Sequence, residues 1–307
     1  MNIITGLLGS ALRMSTPLML GALAEVFVER TGVMNIAIEG IFLIGAWAGF
    51  VGAYLSGNLL VGFLAAAIIG MAYGAVYGLI TVKFKQHQIV TGTAMNILAL
   101  GLTSYLYRVL FGAPLLPLTV EPLMDLPIPM LSKIPLIGKA LFSQNALTYL
   151  AILLMPVGYW VLFRTRVGLI IRSTGENPEA VDAAGINVER VRFLAVLASS
   201  ALDGVAGAFY SIGFLGMFTS GIIGGRGWIA FALCFLGNWN PVGVMLGALI
   251  FGLADALSVV FLTSGIKIVP HEFLIALPYI LTIIATISRR RFNVPAYLGK
   301  PYVKESG

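Results

Sequence analysis

The chain has 307 residues, of which 59% are hydrophobic and only 10% are charged. A soluble domain carries roughly 25% charged residues, so the composition excludes an ordinary water-soluble protein and indicates an integral membrane one. The formal charge of +6 is spread over loops in which acidic residues interleave with basic ones, which leaves no basic stripe for nucleic acid.

The apolar runs are long and do not alternate, which predicts helices rather than a barrel. A bilayer core of about 30 Å needs about 20 apolar residues per helix. Nine segments come close: roughly 6–28, 36–55, 59–82, 88–111, 144–163, 193–215, 220–237, 241–262 and 271–288. The expected fold is an all-α polytopic bundle of about 8–10 transmembrane helices in one membrane domain, 1–307. No basic residue precedes Arg13, so the first segment lacks the n-region of a cleaved signal and is expected to be kept. Glu25, Glu29, Arg30 and Glu39 crowd the junction of the first two segments, which reads as a helix broken within the membrane. Ser56-Gly57-Asn58 and Asn238-Trp239-Asn240-Pro241 read as short turns. Gly45/Gly49, Gly70/Gly74/Gly78 and Gly243/Gly247 repeat every four residues, and such stripes let backbones approach closely in lipid. They serve either packing within the chain or a dimer seam. Cys234 is the only cysteine, and His87 and His271 are the only histidines, which excludes an intrachain disulfide and argues against metal chemistry.

Lysine and arginine set the orientation. Lys83 and Lys85, the polar loop 164–192 and the tail 289–307 with Arg289-Arg290-Arg291 fall on one side by span count, which is then cytoplasmic. The loop at about 112–143, with six prolines and two lysines, falls outside, as does the N-terminus if there are nine spans.

The loop 164–192 is the chain's compositional anomaly, with five arginines, three glutamates and one aspartate. Arg164–Arg172 reads as a basic helix end at the headgroups, broken at Thr174-Gly175. Asn177 is a fair N-cap and Pro178 suits the first helical position. Glu179 in the first turn suits the helix dipole. The predicted short helix spans about Pro178–Ala184 and ends at Gly185. Its small side chains, Ala180, Ala183 and Ala184, suit a groove on another protein; the alternative is a solvated connector with a helical turn.

The stretch RSTGENPEAVDAAGINVERVRF resembles the cytoplasmic loop of ABC importer permeases of the branched-chain amino acid, simple-sugar and nucleoside group. The group's G-x-N-x-x-A-A-x-x-x-G-I pattern is met by Gly175, Asn177, Ala180, Gly185 and Ile186, with Val181 where a second alanine is usual. TGVMNIAIEGIFLIGA at 31–46 resembles the group's early segment, and SGIIGGRGWIAFALCFLGNWNPVGVMLGALIFG at 220–252 its late glycine-rich one. Their wording is most similar to the nucleoside-type permeases, and the resemblance covers nearly the whole chain. The N-terminus is about one span shorter than in the sugar permeases.

The resemblance implies a permease subunit that translocates a small polar solute, most similarly nucleosides, with simple sugars or branched-chain amino acids as alternatives. It implies a second, paralogous permease, a cytoplasmic ABC ATPase and an extracytoplasmic solute-binding protein, all at a bacterial cytoplasmic (inner) membrane and its lipid. Gly175, Glu176, Asn177, Pro178, Glu179, Ala180, Asp182, Gly185 and Ile186 would form the coupling element seated on the ATPase. The chain itself has no G-x-x-x-x-G-K-[ST] loop, so no cofactor is expected on it; ATP and Mg would bind the partner. The external proline-rich loop and short external turns would receive the binding protein.

Polar residues inside spans are the pathway candidates, because burying them is costly without a role or a partner. They are Asn35, Glu39, Asn96, Asp203, Arg226 and Asp255, with Trp228 able to stack on a flat base. Each has two readings, solute contact or internal pairing, such as Arg226 with a buried carboxylate. An ion-coupled secondary transporter would use the same carboxylates as ion sites in inverted repeats, and a faint likeness between 31–46 and 220–235 suits repeats in either case. A membrane-embedded enzyme lacks support, since no paired histidines, metal cluster or serine–base arrangement is visible in the spans.

Overall fold

The computed structural model describes residues 3–134, 137–263, 280 and 292–303. The Arg289–Arg291 cluster, His271 and all but one residue of the predicted span 271–288 lie outside the described residues.

Helix α1 (Ile3–Glu29) stops at an irregular segment, and α2 (Ile38–Ser56) follows it. After Gly57, α3 (Leu59–Gly78) extends as a π-helical turn, Leu79–Lys83, and α4 (Gln88–Phe111) leads into the proline-rich loop. That loop carries β1 (Asp125–Pro127) and α5 (Ile137–Phe142), and β2 (Ser143–Asn145) pairs antiparallel with β1. Helices α6 (Ala146–Arg164), α7 (Arg166–Glu176), α8 (Pro178–Ala183) and α9 (Val188–Ala208) follow, α9 ending in the π-helical Phe209–Leu215. The described helices close with α10 (Arg226–Gly237) and α11 (Pro241–Thr263).

Among the described residues, seven helices are long and apolar enough to cross a membrane: Thr5–Glu29, Ile38–Ser56, Leu59–Lys83, Gln88–Phe111, Ala146–Arg164, Val188–Leu215 and Pro241–Phe261. The predicted span 220–237 needs correction. Only its 12-residue part α10 is helical, which at a 1.5 Å rise covers about 18 Å of a core of about 30 Å. Gly221, Gly224 and Gly225 adopt φ of 73°, 58° and 86°, a left-handed backbone that cannot continue a helix. Residues before Arg226 therefore form turns, although they are as apolar as a span. The predicted junction between α1 and α2 is irregular, with Gly32 at φ 91°, but it separates two helices that are each long enough to cross a membrane rather than the halves of one.

Three loops predicted to share a side meet at one end of the bundle. Lys85 pairs with Glu189 at 3.4 Å, Arg192 donates to the Lys300 carbonyl at 2.9 Å, and Tyr297 donates to Glu179 at 3.1 Å. At the other end, Arg13 pairs with Asp125 in the proline-rich loop at 3.0 Å.

Helices α1, α2 and α9 form the centre, where Met19, Leu20, Phe42, Phe50 and Phe209 are fully buried. The glycine stripes serve packing within the chain. A Cβ on Gly70 would lie 2.8 Å from the Ser200 carbonyl oxygen, and one on Gly49 2.7 Å from the Ala208 Cβ. With no hydrophobic force between helices in lipid, such close approach and interhelical hydrogen bonds hold the bundle. Thr16 and Thr148 supply one such bond, buried at 2.8 Å. Most of the α3 and α4 surface is exposed and apolar, as a lipid-facing surface must be.

Candidate coupling surface and intramembrane polar clusters

Thr165 separates α6 from α7 by capping it, its hydroxyl accepting from the Gly168 N–H at 3.2 Å. Helix α7 then runs through Thr174 and Gly175 to Glu176, so the break predicted at Thr174-Gly175 falls two residues later. Gly175 keeps the helix going because it needs no room. It lies flat on the break after α1, where a Cβ would sit 3.0 Å from the Arg30 carbonyl carbon and 3.1 Å from Gly32 N. Asn177 ends the helix with φ −150° and ψ 84°, as a residue before proline must leave the helical region.

Asn177 also starts α8. Its side chain accepts from the Ala180 N–H at 3.0 Å, and Pro178 occupies the first turn. The helix ends at Ala183; the Gly185 N–H reaches the Asp182 carbonyl at 2.9 Å and the Ile186 N–H reaches Val181 at 3.2 Å. Gly185 takes φ 80° with open space around it. Pro178 and Val181 are buried, whereas Glu179, Ala180, Ala183, Ala184 and Gly185 are exposed. The result is a short capped helix with one anchored edge and one small-residue, acidic outer face. Glu176 is 3.9 Å from Arg30. Burial holds the Arg30 guanidinium below its ordinary value, against the opposing pull of Glu176. Arg30 also donates to the Trp239 carbonyl at 3.1 Å.

The intramembrane candidates fall into three groups. Asn35 and Asp203 are fully buried beside Glu25, with the Asn35 amide donating to Glu25 at 2.7 Å and to Asp203 at 3.4 Å. Ser199 donates to Asp203 at 3.3 Å. Glu25 Oε2, Asn35 Oδ1 and Asp203 Oδ1 remain without a partner among the described residues. Asn96 clamps the start of α2, accepting from Gly40 N and donating to the Ile36 carbonyl, both at 2.8 Å.

The third group surrounds the start of α10. The two oxygens of Glu39 accept from Gly225 N and Gly227 N, each at 2.8 Å. A carboxylate from α2 thus caps another helix's orphan N–H groups where its dipole is positive. Arg226 lies 3.8 Å from Asp255 and over the Tyr210 ring at 5.3 Å. These residues line a cavity of about 120 Å³ that Arg13 also borders. Trp228 is partly exposed and meets Phe231 edge-on, with centroids 6.4 Å apart.

Some partners were not foreseen. Trp239, in the predicted short turn, is fully buried and donates its indole N–H to Glu29. Gln88 accepts from Met34 N at 2.8 Å, and Tyr77 donates to the Met34 carbonyl. Arg192 is buried and donates to the Thr31 carbonyl at 3.0 Å. Tyr297 hydrogen-bonds Glu179, and the bond to that carboxylate holds its phenol above its ordinary value. The Glu25/Glu29 spacing of four was visible in the sequence; the rest depends on contacts far apart in the chain.

The fold is that of a polytopic helical membrane protein, with the short α10 packed against its long central helices and a capped acidic helix at one end. Residues 7–286 match the family described as branched-chain amino acid transport system / permease component, and the chain belongs to that family. It is 40% identical over 278 residues to the nucleoside ABC transporter permease protein NupC of Lactococcus lactis subsp. cremoris, covering 88% of this chain and 87% of NupC. It is 37% identical over 299 residues to the guanosine ABC transporter permease protein NupQ of Bacillus subtilis, covering 94% of each. The same Bacillus strain has a second guanosine permease protein, NupP, 31% identical over 80% of this chain and 71% of NupP. Among solved structures, an inward-facing metal-chelate type ABC transporter aligns with a TM-score of 0.53 at 16% identity, covering 92% of this chain and 85% of that one, which shows the fold.

Proposed function

We propose that the chain is the nucleoside-translocating permease subunit of an ATP-binding cassette importer in a bacterial cytoplasmic membrane. It works beside a second, paralogous permease; the presence of two guanosine permease proteins, NupQ and NupP, in one organism supports that reading. An external binding protein delivers the solute, and a separate ATPase, which binds ATP and Mg, seats α8 in a groove. The observation that carries the proposal is α8 itself: a capped helix with an exposed Glu179 and alanine face, joined directly to α7, whose Gly175 rests on the break that leads to Asn35 and Glu39. Closure of the ATPase pair would push this helix, and the spans would switch access as rigid bodies. The buried cluster of Glu25, Asn35 and Asp203, with Glu39, Asn96, Arg226, Trp228 and Asp255, supplies the intramembrane polar groups along which a polar solute would pass. No tight site is required here, because the binding protein selects.

The test is charge reversal on α8. Glu179→Lys or Asp182→Lys should abolish ATP-dependent nucleoside uptake while membrane insertion is unchanged. Competition by nucleosides against ribose and branched-chain amino acids reads the substrate class. Full uptake by the variants in cells lacking the ATPase would overturn the importer reading.

A further inference from the structure

The segment 293–300 lies on the same end of the molecule as α8 and touches three separate parts of the fold. Tyr297 donates its backbone N–H to the Gly175 carbonyl at 2.9 Å and its hydroxyl to Glu179 at 3.1 Å. Gly299 donates to the Gly32 carbonyl in the α1–α2 break at 2.9 Å. Arg192 bridges the break to the same segment, donating to Thr31 O at 3.0 Å and to Lys300 O at 2.9 Å. Asn293 N reaches Asn238 Oδ1, in the turn between α10 and α11, at 2.7 Å. Two tight turns, Leu298 N to Pro295 O at 3.0 Å and Lys300 N to Tyr297 O at 3.1 Å, keep the segment compact. Gly299 sits at φ 76°, which an L side chain rarely adopts.

We propose that this C-terminal segment is a positioning tie that carries motion of α8 to the α1–α2 break. The proposal rests on the reading of α8 as the ATPase contact. The route onward is on the same break. Asn35, three residues past Gly32, holds Glu25 and Asp203, and Glu39 holds the start of α10. A shift of α8 reaches the segment through the Glu179–Tyr297 bond, and the segment passes it to the break through the Gly299–Gly32 backbone bond and Arg192, while Tyr297 N also ties the end of α7 at Gly175. The end of α7 supplies a parallel connection, the close backbone packing of Gly175 on Arg30 with the Arg30–Glu176 pair at 3.9 Å. That long pair, exposed at Glu176, contributes little, whereas backbone bonds at 2.9 Å fix both partners.

The experiment uses the full transporter with its ATPase and reads solute taken up per ATP hydrolysed. Tyr297→Pro/Gly299→Pro keeps chain length but removes both backbone donors and the phenol. Val294→Ala is the control, because the Val294 side chain is exposed and the tie's hydrogen bonds do not use it. The double variant should retain ATPase association and ATP hydrolysis while the coupling ratio falls about fivefold or more, and Val294→Ala should match wild type. Tyr297→Phe, which loses only the Glu179 bond, should fall between and serves if the double variant does not assemble. An unchanged coupling ratio in an assembled tail variant would overturn the tie while leaving the ATPase reading standing. Uptake by the wild type that needs no ATPase would remove that reading instead.

Discussion

Glu39 is the clearest place to perturb the core of this permease. Its two carboxylate oxygens each take one N–H at the start of α10, both at 2.8 Å. Glu39→Ala leaves two donors without an acceptor inside the bilayer. A buried donor left unsatisfied costs about 1–3 kcal/mol, and Glu39 is only partly buried, so the loss should be about 2–4 kcal/mol. Glu39→Gln keeps one acceptor and should cost about half of that. Denaturant-driven unfolding in detergent, followed by tryptophan fluorescence, measures both. Hydrogen exchange at Gly225 and Gly227 should rise in the alanine variant before any global change. If Glu39→Ala lies within about 0.5 kcal/mol of wild type, the carboxylate is not the cap of α10 and the assignment is wrong.

Three further outcomes follow from the packing and caps. Gly70→Leu should cost about 1–3 kcal/mol or more by overpacking, because its Cβ would face backbone atoms 2.8 and 2.9 Å away; Gly101→Leu, with nothing within 4 Å, should be neutral in the same unfolding assay. Trp239→Phe strands the Glu29 carboxylate and should cost about 1–3 kcal/mol, with Trp239→Phe/Glu29→Leu recovering part of the loss in a double-mutant cycle. Asn177→Ala should lower the helicity of α8 and weaken ATPase association by about 0.5–2 kcal/mol, whereas Asn177→Asp should be near neutral; equal binding by all three would show that the cap does not matter.

The start and stop of α8 were legible because their signals are local: Asn-Pro before it and a glycine with positive φ after it. The long spans were legible for the same reason, since hydropathy over 20 residues needs no knowledge of neighbours. The short α10 was not, because residues 220–225 are as apolar as a span and only their backbone angles exclude it. Gly175 misled in the opposite direction. Glycine usually reads as a stop, but here it stays helical so that a backbone can pass against it. The roles of Glu39, Trp239 and Tyr297 could not be read at all, since each partner lies more than a hundred residues away in the chain. Polarity inside an apolar run marked Asn35, Asp203 and Asp255 as unusual, while their pairing depends on how helices cross.

Reconstitution tests the central claim most directly. The chain is placed in liposomes with the second permease and the ATPase, and uptake of a labelled nucleoside from its binding protein is measured. Uptake should require ATP hydrolysis, persist when ionophores collapse all ion gradients, and vanish with Glu179→Lys. Uptake that continues without ATP and stops with the ionophores would contradict the account and assign the buried carboxylates to ion coupling instead.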